Sequence, residues 1–339
     1  MGGILNELSL PHGALTQRSQ AMDKTDVTKN KVVVLAGGWS DEREISMDSG
    51  RACAKALGQA GFEGVELLDV ADKDFVSRLI SGGYDVAFIA MHGRYGEDGC
   101  VQGLLEVLHM PYTFSGVLTS AVATEKDVAK SMCRSAGVPT AKGTKLAAGH
   151  VPDEAEVSSL VDRLGLPLFV KPAANGSSYG ITMVHEASEL AEAVRLAGEG
   201  GQRVIVEAYV EGTEITVPVI GNRDPQALPI IEVVAGEGAE FYDLKVKYEP
   251  ASLHHVMPAR LDPKVYERAQ RLAVLAHKTL GCRGASRTDF IVTSDGTPVF
   301  LETNTIPGMT ETSLLPDSAR SAGIEFPELC RRFVEWALE

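Results

Sequence analysis

From Lys31 onward the chain alternates short apolar runs with longer amphipathic ones, and this alternation restricts its fold more than any other feature. KVVVLAGG, VELLDV and DVAFIAMHG read as strands, each followed by a helical stretch: SMDSGRACAKALGQAGF, DFVSRLISG and CVQGLLEVLHM in turn. Strands separated by helices pair in parallel, giving an open sheet with helices on both faces and ligands at the carboxyl ends of its strands. Two of those ends are polar and rich in glycine, LAGGWSDEREIS and MHGRYGEDGCVQG. A binding surface is expected there.

Further along, the periodicity changes. A helix over Thr119–Gly137 leads to a second module with KGTKL, a helix near Asp153–Leu164, the strand pair PLFVKPA and GITMV, a helix near Ser188–Ala197, and VIVEAYV. The Gly/Ser-rich turn inside that strand pair makes it an antiparallel hairpin, so the module is α+β. A third part holds strands EITVPVIG and ALPIIEVVA, a long helix PKVYERAQRLAVLAHKTLG, a hairpin over Arg287–Asn304 and a last helix near Pro327–Leu338. The expected division is a flexible leader over 1–30, an N-terminal α/β domain over 31–121, a central domain over 122–212 and a C-terminal domain over 213–339. Within the last, residues 236–253 lack periodicity and carry Tyr242, Asp243, Lys245, Lys247 and Tyr248. Long irregular loops inside compact domains are usually functional, and this one reads as a mobile lid.

The formal net charge of −14 argues against nucleic acid or an anionic membrane as a general partner. No apolar run approaches the ~20 residues that span a bilayer, and the leader lacks the basic start and apolar core of a secretory signal. Five cysteines are scattered without CxxC spacing, which fits reduced thiols in a cytoplasmic protein.

The hairpin RTDFIVTSDGTPVFLETN concentrates the chemistry. With a two-residue turn at Asp295-Gly296, Asp289 lies opposite Glu302 and Arg287 opposite Asn304, all four on one face. A three-residue turn would shift the register by one and break that face. Like charges directly opposed destabilise a sheet, so a cation is expected between the acids. Asp289, Glu302 and Asn304 offer the hard oxygens that hold Mg²⁺ against a phosphate. A solvated edge neutralised by Arg287 accounts for the same residues.

Other stretches are ambiguous one at a time. In VKPAANGSSYG, Lys171 precedes a small-residue turn whose amides and serines, Ser177 and Ser178, can reach phosphate oxygens, although GxxxxGK[ST] is absent; an ordinary flexible turn reads the same. Lys126 stands in a helix, where lysines are commonly solvated. VEAYVEGTE ends an apolar strand at Glu207, where backbone groups could meet an adenine, and both Glu207 and Glu214 could equally be surface charges. Glu44 sits at a helix start, where its charge suits the dipole and capping competes with a binding role. His92 ends a strand, where a structural histidine is the commoner finding. The turn at Gly308 in TNTIPGMTETS has amides able to bind an oxyanion.

Taken in order, GGWSDEREIS, HGRYGEDGCVQG, TEKD, VKPAANGSSYG, EAYVEGTE, YDLKVKY, GASRTDF and LETNTIPGMTETS resemble the D-alanine–D-alanine ligases of the ATP-grasp superfamily, over about Val32 to Glu339. The resemblance implies a three-domain ATP-grasp fold, part α/β and part α+β, with ATP gripped between the central and C-terminal domains. It implies that Lys126, Lys171 and Lys247 reach the phosphates, that Ser177 and Ser178 lie in a closing loop, that Glu207, Ala208, Tyr209 and Val210 line the adenine site, and that Glu214 takes the ribose. It further implies two Mg²⁺ ions, with Mn²⁺ as an alternative, on Asp289, Glu302 and Asn304. Glu44 and His92 would serve the first D-alanine, Arg287 and the Gly308 amide the oxyanion, and Ser313 and Leu314 the second D-alanine. Glu44, Ser177 and Tyr248 would latch the lid by hydrogen bonds.

The activity so implied is ATP-dependent ligation of two D-alanines through a D-alanyl phosphate, in a cytoplasmic homodimer supplying peptidoglycan precursors. Relatives that use D-lactate carry histidine at the position of Tyr248, and the tyrosine here favours an amine acceptor. Ala208 departs from the lysine that many relatives have there. Another carboxylate–amine ligase of the same superfamily is the alternative. A regulatory nucleotide-binding module without catalysis fits less well, because Arg287, Asp289, Glu302 and Asn304 are all present.

Overall fold

The structure, a computed structural model, describes residues 26–174, 180–234 and 255–339. The expected positions Ser177, Ser178, Lys247 and Tyr248, the leader up to residue 25 and all of the expected lid lie outside the described residues. Asp26 caps a short turn over Val27–Lys29, whose Val27 packs on the first core.

Strand β1 (Val32–Ala36) is buried along its whole length, as an apolar run with no polar face requires. It lies between β2 (Val65–Asp69) and β3 (Val86–Ile89), all parallel. Helices α1 (Arg43–Gln59) and α2 (Phe75–Ser81) make the crossovers, and α3 (Cys100–Val107) follows β3. Gly50 is what lets α1 approach the sheet, since a Cβ there would lie 2.5 Å from that of Ala36. Parallel pairing brings the loops after β1 and β3 to the same edge, where the Ser40 hydroxyl donates to the His92 carbonyl at 2.8 Å.

The single helix expected over Thr119–Gly137 is two helices, α4 (Val117–Thr124) and α5 (Lys126–Ser135). The chain breaks at Glu125, which is extended, because the Lys126 amide donates to the Ala173 carbonyl at 2.9 Å instead of within a helix. That tertiary bond sets Lys126 at the start of a new helix. The central sheet then combines β4 (Gly143–Leu146), β5 (Leu168–Pro172), β6 (Thr182–Val184) and β7 (Val204–Ala208) in the order β4-β7-β5-β6, all antiparallel, as the PLFVKPA and GITMV pair suggests. Helices α6 (Glu154–Leu164) and α7 (Leu190–Ala197) cover the face carrying Leu168, Val170, Val204 and Val206. The alternate residues Phe169, Lys171 and Glu207 therefore face away from those helices.

The C-terminal sheet contains β8 (Thr213–Ile220), β9 (Gln226–Ala227), β10 (Ile231–Val233), β11 (His255–Val256), β12 (Ala285–Val292) and β13 (Pro298–Asn304). Its order is β11-β10-β8-β12-β13, with β9 beside β8. Helix α8 (Pro263–Leu280) starts on the Asp262 cap with proline in its first turn and stops at left-handed Gly281. With α5 it covers Ile215, Val217, Val219, Phe290 and Phe300.

The β12–β13 register pairs Asp289 with Glu302 and Arg287 with Asn304, as expected, but by another route. The tip is one residue longer than a two-residue turn: the Thr293 amide donates to the Thr297 carbonyl at 3.1 Å and the Gly296 amide to the Thr293 carbonyl at 2.8 Å. A bulge between the Phe290–Phe300 and Asp289–Glu302 pairs leaves Leu301 over and restores the register. Two departures cancel, and the shared face survives.

After β13 come α9 (Leu314–Ser321) and α10 (Phe326–Ala337). The chain end returns to the first domain: the Phe333 ring lies 4.9 Å from Phe114 and 6.3 Å from Phe88, centroid to centroid. Burying a ring of this size stabilises by about 1.5–3 kcal/mol, so the last helix ties the C-terminal sheet to the N-terminal one.

Candidate active site

Between the central and C-terminal sheets lies a cavity of about 400 Å³. Strands β5 and β7 give it Phe169, Lys171, Glu207 and Ala208; β8, β12 and β13 give it Glu214, Thr216, Arg287, Asp289, Ile291 and Glu302. Tyr209 and Val210 line it from the segment joining the sheets, and Lys126 and Leu314 complete the set of expected residues there. The wall is apolar around Phe169, Ile181, Val210, Val233 and Leu301 and charged elsewhere. It suits a ligand with a flat apolar part and an anionic part.

The charges are paired. Lys130 approaches both oxygens of Glu207 at 2.5 Å, and Lys171 approaches one at 2.7 Å. Burial alone would raise the Glu207 pKa, but Lys171 and Lys130 hold it down at about 2. Burial, joined by the charge of Lys171, pushes the Lys130 pKa down. Lys126 pairs with Glu302. Arg287 spans Asp289 with Nε and Nη2 each 3.2 Å from a carboxylate oxygen, and the Thr216 hydroxyl donates to the same carboxylate. Glu232 pairs with Arg260. The cation expected between Asp289 and Glu302 thus has side-chain substitutes, one for each acid.

A smaller cavity, lined by Glu97, Lys126, Glu302 and Asn304 among others, adjoins the same hairpin end. The Lys126–Glu302 pair therefore stands in the walls of both. His92 is buried, with Nε2 3.0 Å from the Ser49 hydroxyl and Nδ1 3.5 Å from Glu97. The Ser49 hydroxyl also accepts from the Met309 amide at 3.4 Å, seating the loop after β13 on α1. In that loop Ser313 accepts from the Thr310 amide at 3.0 Å, and a Cβ on Gly308 would come within 3.0 Å of the Ser313 hydroxyl oxygen. The Asn304 oxygen accepts from the Ile306 amide at 2.8 Å. Glu44 is exposed on the first turn of α1, whose Glu42 makes no side-chain cap bond.

Sequence reasoning passed over four groups that hold this arrangement. Lys130 is one turn after Lys126 on α5, and that spacing was its available signal. Ser49 and Glu97, the partners of His92, carried none. The fourth is Arg43 with Asp69: Arg43 Nη1 is 2.9 Å from both the Gly38 carbonyl and Asp69, which itself accepts from the Gly38 and Ala71 amides. Together they clamp the glycine loop beside Glu44. A side chain at Gly37, whose φ is +74°, would meet Asp69 at 2.3 Å.

The Arg43 hydrogen bond lowers the Asp69 pKa from 3.8 to about 2, so the stabilisation is complete above pH 3.8 and is lost as pH falls through about 2. Asp69→Asn is expected to lower stability by about 1 kcal/mol at pH 7, allowing for solvent screening of the partly exposed arginine. Urea denaturation at pH 7 and near pH 3 checks this: the gap to the parent chain narrows at the lower pH.

Comparison with known proteins gives a consistent result. The family model for the D-ala D-ala ligase C-terminus matches residues 132–335, and that for the D-ala D-ala ligase N-terminus matches 68–115. The chain is 45% identical to a D-alanine–D-alanine ligase of Pelotomaculum thermopropionicum, over 91% of this chain and 97% of that one. It is 46% identical to one of Anaeromyxobacter dehalogenans, again over 91% and 97%. Among solved structures it is similar to a D-alanine–D-alanine ligase of Bacillus anthracis complexed with ATP, with a TM-score of 0.77, 31% identity, and 91% and 97% of the two chains covered.

Proposed function

Because the chain belongs to the D-alanine–D-alanine ligase family, we propose that the cavity between its central and C-terminal sheets is the ATP site of an enzyme joining two D-alanines. The protein is an ATP-dependent ligase with the ATP-grasp fold, and its dipeptide serves cell wall synthesis. The observation that carries the assignment to this cavity is the meeting of Lys126, Lys171 and Arg287 with Asp289 and Glu302 around it.

A carboxylate does not condense with an amine at neutral pH. The first D-alanine's carboxylate oxygen attacks the γ-phosphorus of ATP, ADP leaves, and the resulting D-alanyl phosphate is attacked by the second amine, releasing phosphate. In this reading Lys126 and Lys171 neutralise phosphate oxygens, while Tyr209, Val210 and the backbone at Glu207 and Ala208 hold the adenine, Ala208 contributing no charge. Glu214 takes the ribose hydroxyls. Arg287 and the Gly308 amide stabilise charge on the carbonyl oxygen under attack. Glu44, beside the clamped glycine loop, receives the ammonium of the first D-alanine near His92, and Ser313 and Leu314 receive the second. Ser177, Ser178, Lys247 and Tyr248 are assigned to the closing loops that exclude water.

Asp289, Glu302 and Asn304 would hold Mg²⁺. The fit rests on the donor set: two carboxylates and an amide oxygen on one hairpin face, the acids already facing cations. Among the described residues no three His, Cys, Asp or Glu side chains are grouped so as to hold a metal ion by themselves, so waters and phosphate would fill the remaining positions. When bound, the ion supplies charge neutralisation for phosphate oxygens.

We further assign the division 31–121, 122–212 and 213–339, the cytoplasm and a homodimer. No helix among the described residues is long and apolar enough to cross a membrane. The test is incubation of the purified protein with ATP, Mg²⁺ and D-alanine, measuring phosphate and dipeptide, with D-lactate as competitor. Dipeptide should form, with little D-alanyl-D-lactate. Turnover only with another acceptor would overturn the reading.

A further inference from the structure

Lys130 has no place in the mechanism above, yet it makes the closest contacts to Glu207. Its side chain is 3% exposed, against 6% for Glu207 and 11% for Lys171. Glu207 and Lys171 line the large cavity, whereas Lys130 does not. It therefore meets the carboxylate from behind. It also belongs to a different packed layer, since α5 packs on the C-terminal sheet and α8, whereas Glu207 and Lys171 belong to the central sheet.

The charge count has a consequence. One carboxylate and one lysine in a buried wall would neutralise each other and leave little field for an anion. Two lysines on one carboxylate leave a net positive charge, and the lysine facing the cavity is Lys171. We propose that Lys130 is a positioning residue for nucleotide binding: by holding both oxygens of Glu207 from behind, it leaves Lys171 charged and directed at the phosphates. The inference rests on the reading of this cavity as the ATP site. Of the two lysines, Lys171 is the one whose charge Glu207 secures. Burial opposes the charged form of Lys171, but Glu207 keeps its pKa above the ordinary value, while that of Lys130 is pushed down.

The test compares the parent chain with Lys130→Met and Lys130→Arg by calorimetric titration with ATP and Mg²⁺, and by competition with adenosine. Lys130→Met should weaken ATP binding on the order of tenfold, the size expected for one charged hydrogen bond. The adenosine affinity and the KM for D-alanine should stay within about twofold, because neither ligand meets the Lys171 charge. Lys130→Arg, which keeps a charged donor, should recover most of the loss. Thermal melting of each variant is followed, and Lys130→Gln replaces Lys130→Met should the latter not fold. Equal ATP affinity in the parent and the neutral variant would overturn the proposal, as would equal weakening for adenosine and ATP. A parent chain that binds no ATP would instead refute the reading of the cavity.

Discussion

Glu302→Gln is expected to leave the protein folded and to reduce dipeptide synthesis by about 10²–10³-fold, the range seen when one group that stabilises developing charge is removed. Three positions meet in this residue. It pairs with Lys126, it lies opposite Asp289 across the hairpin, and it lines both cavities. Glutamine keeps the shape and can still accept from Lys126, so the change removes charge more than packing. Its carboxylate is 23% exposed, so the loss of the pair should lower stability by only about 1 kcal/mol. The steady-state rate at saturating ATP, followed as Mg²⁺ is raised, is the measurement. A rate within tenfold of the parent, with no greater demand for Mg²⁺, would sink the assigned role.

Arg287→Met should act on a different step. The guanidinium forks onto Asp289 and lines the cavity, and the charge it is assigned to meet develops only when the carbonyl is attacked. An interaction made in the transition state alone lowers kcat and leaves the ground-state affinity nearly unchanged. A fall in kcat of about 10²–10³ is expected, with the KM for ATP shifted by less than about threefold. Arg287→Lys should recover little, because an ammonium cannot reproduce the planar fork. An effect confined to KM would place Arg287 in ground-state binding and refute the oxyanion role.

Much of this site was legible without coordinates because its chemistry is written in short stretches. A strand end followed by glycines, a lysine before a small-residue turn and a hairpin with acids at its open end are local patterns. Lys171, Glu207, Arg287, Asp289 and Glu302 do line one cavity. The hairpin register was right for a reason the residues alone do not give, since the longer tip and the Leu301 bulge offset each other. Lys130 was missed because nothing marks a helical lysine as buried until its acceptor is known. The helix break at Glu125 was missed for the same kind of reason: a tertiary partner for the Lys126 amide overrode local periodicity.

By itself, then, the sequence determined the local elements and the residue types at their ends, since periodicity and turn chemistry act over a few neighbouring residues. It also determined the family, through the order of its motifs. The tertiary structure decided which charges face one another. Lys130 meets Glu207 across 77 positions, Lys126 meets Glu302 across 176, and the Ser49 hydroxyl meets the Met309 amide across 260. Such pairs depend on how three sheets and the returning α10 pack, and packing is a property of the whole chain.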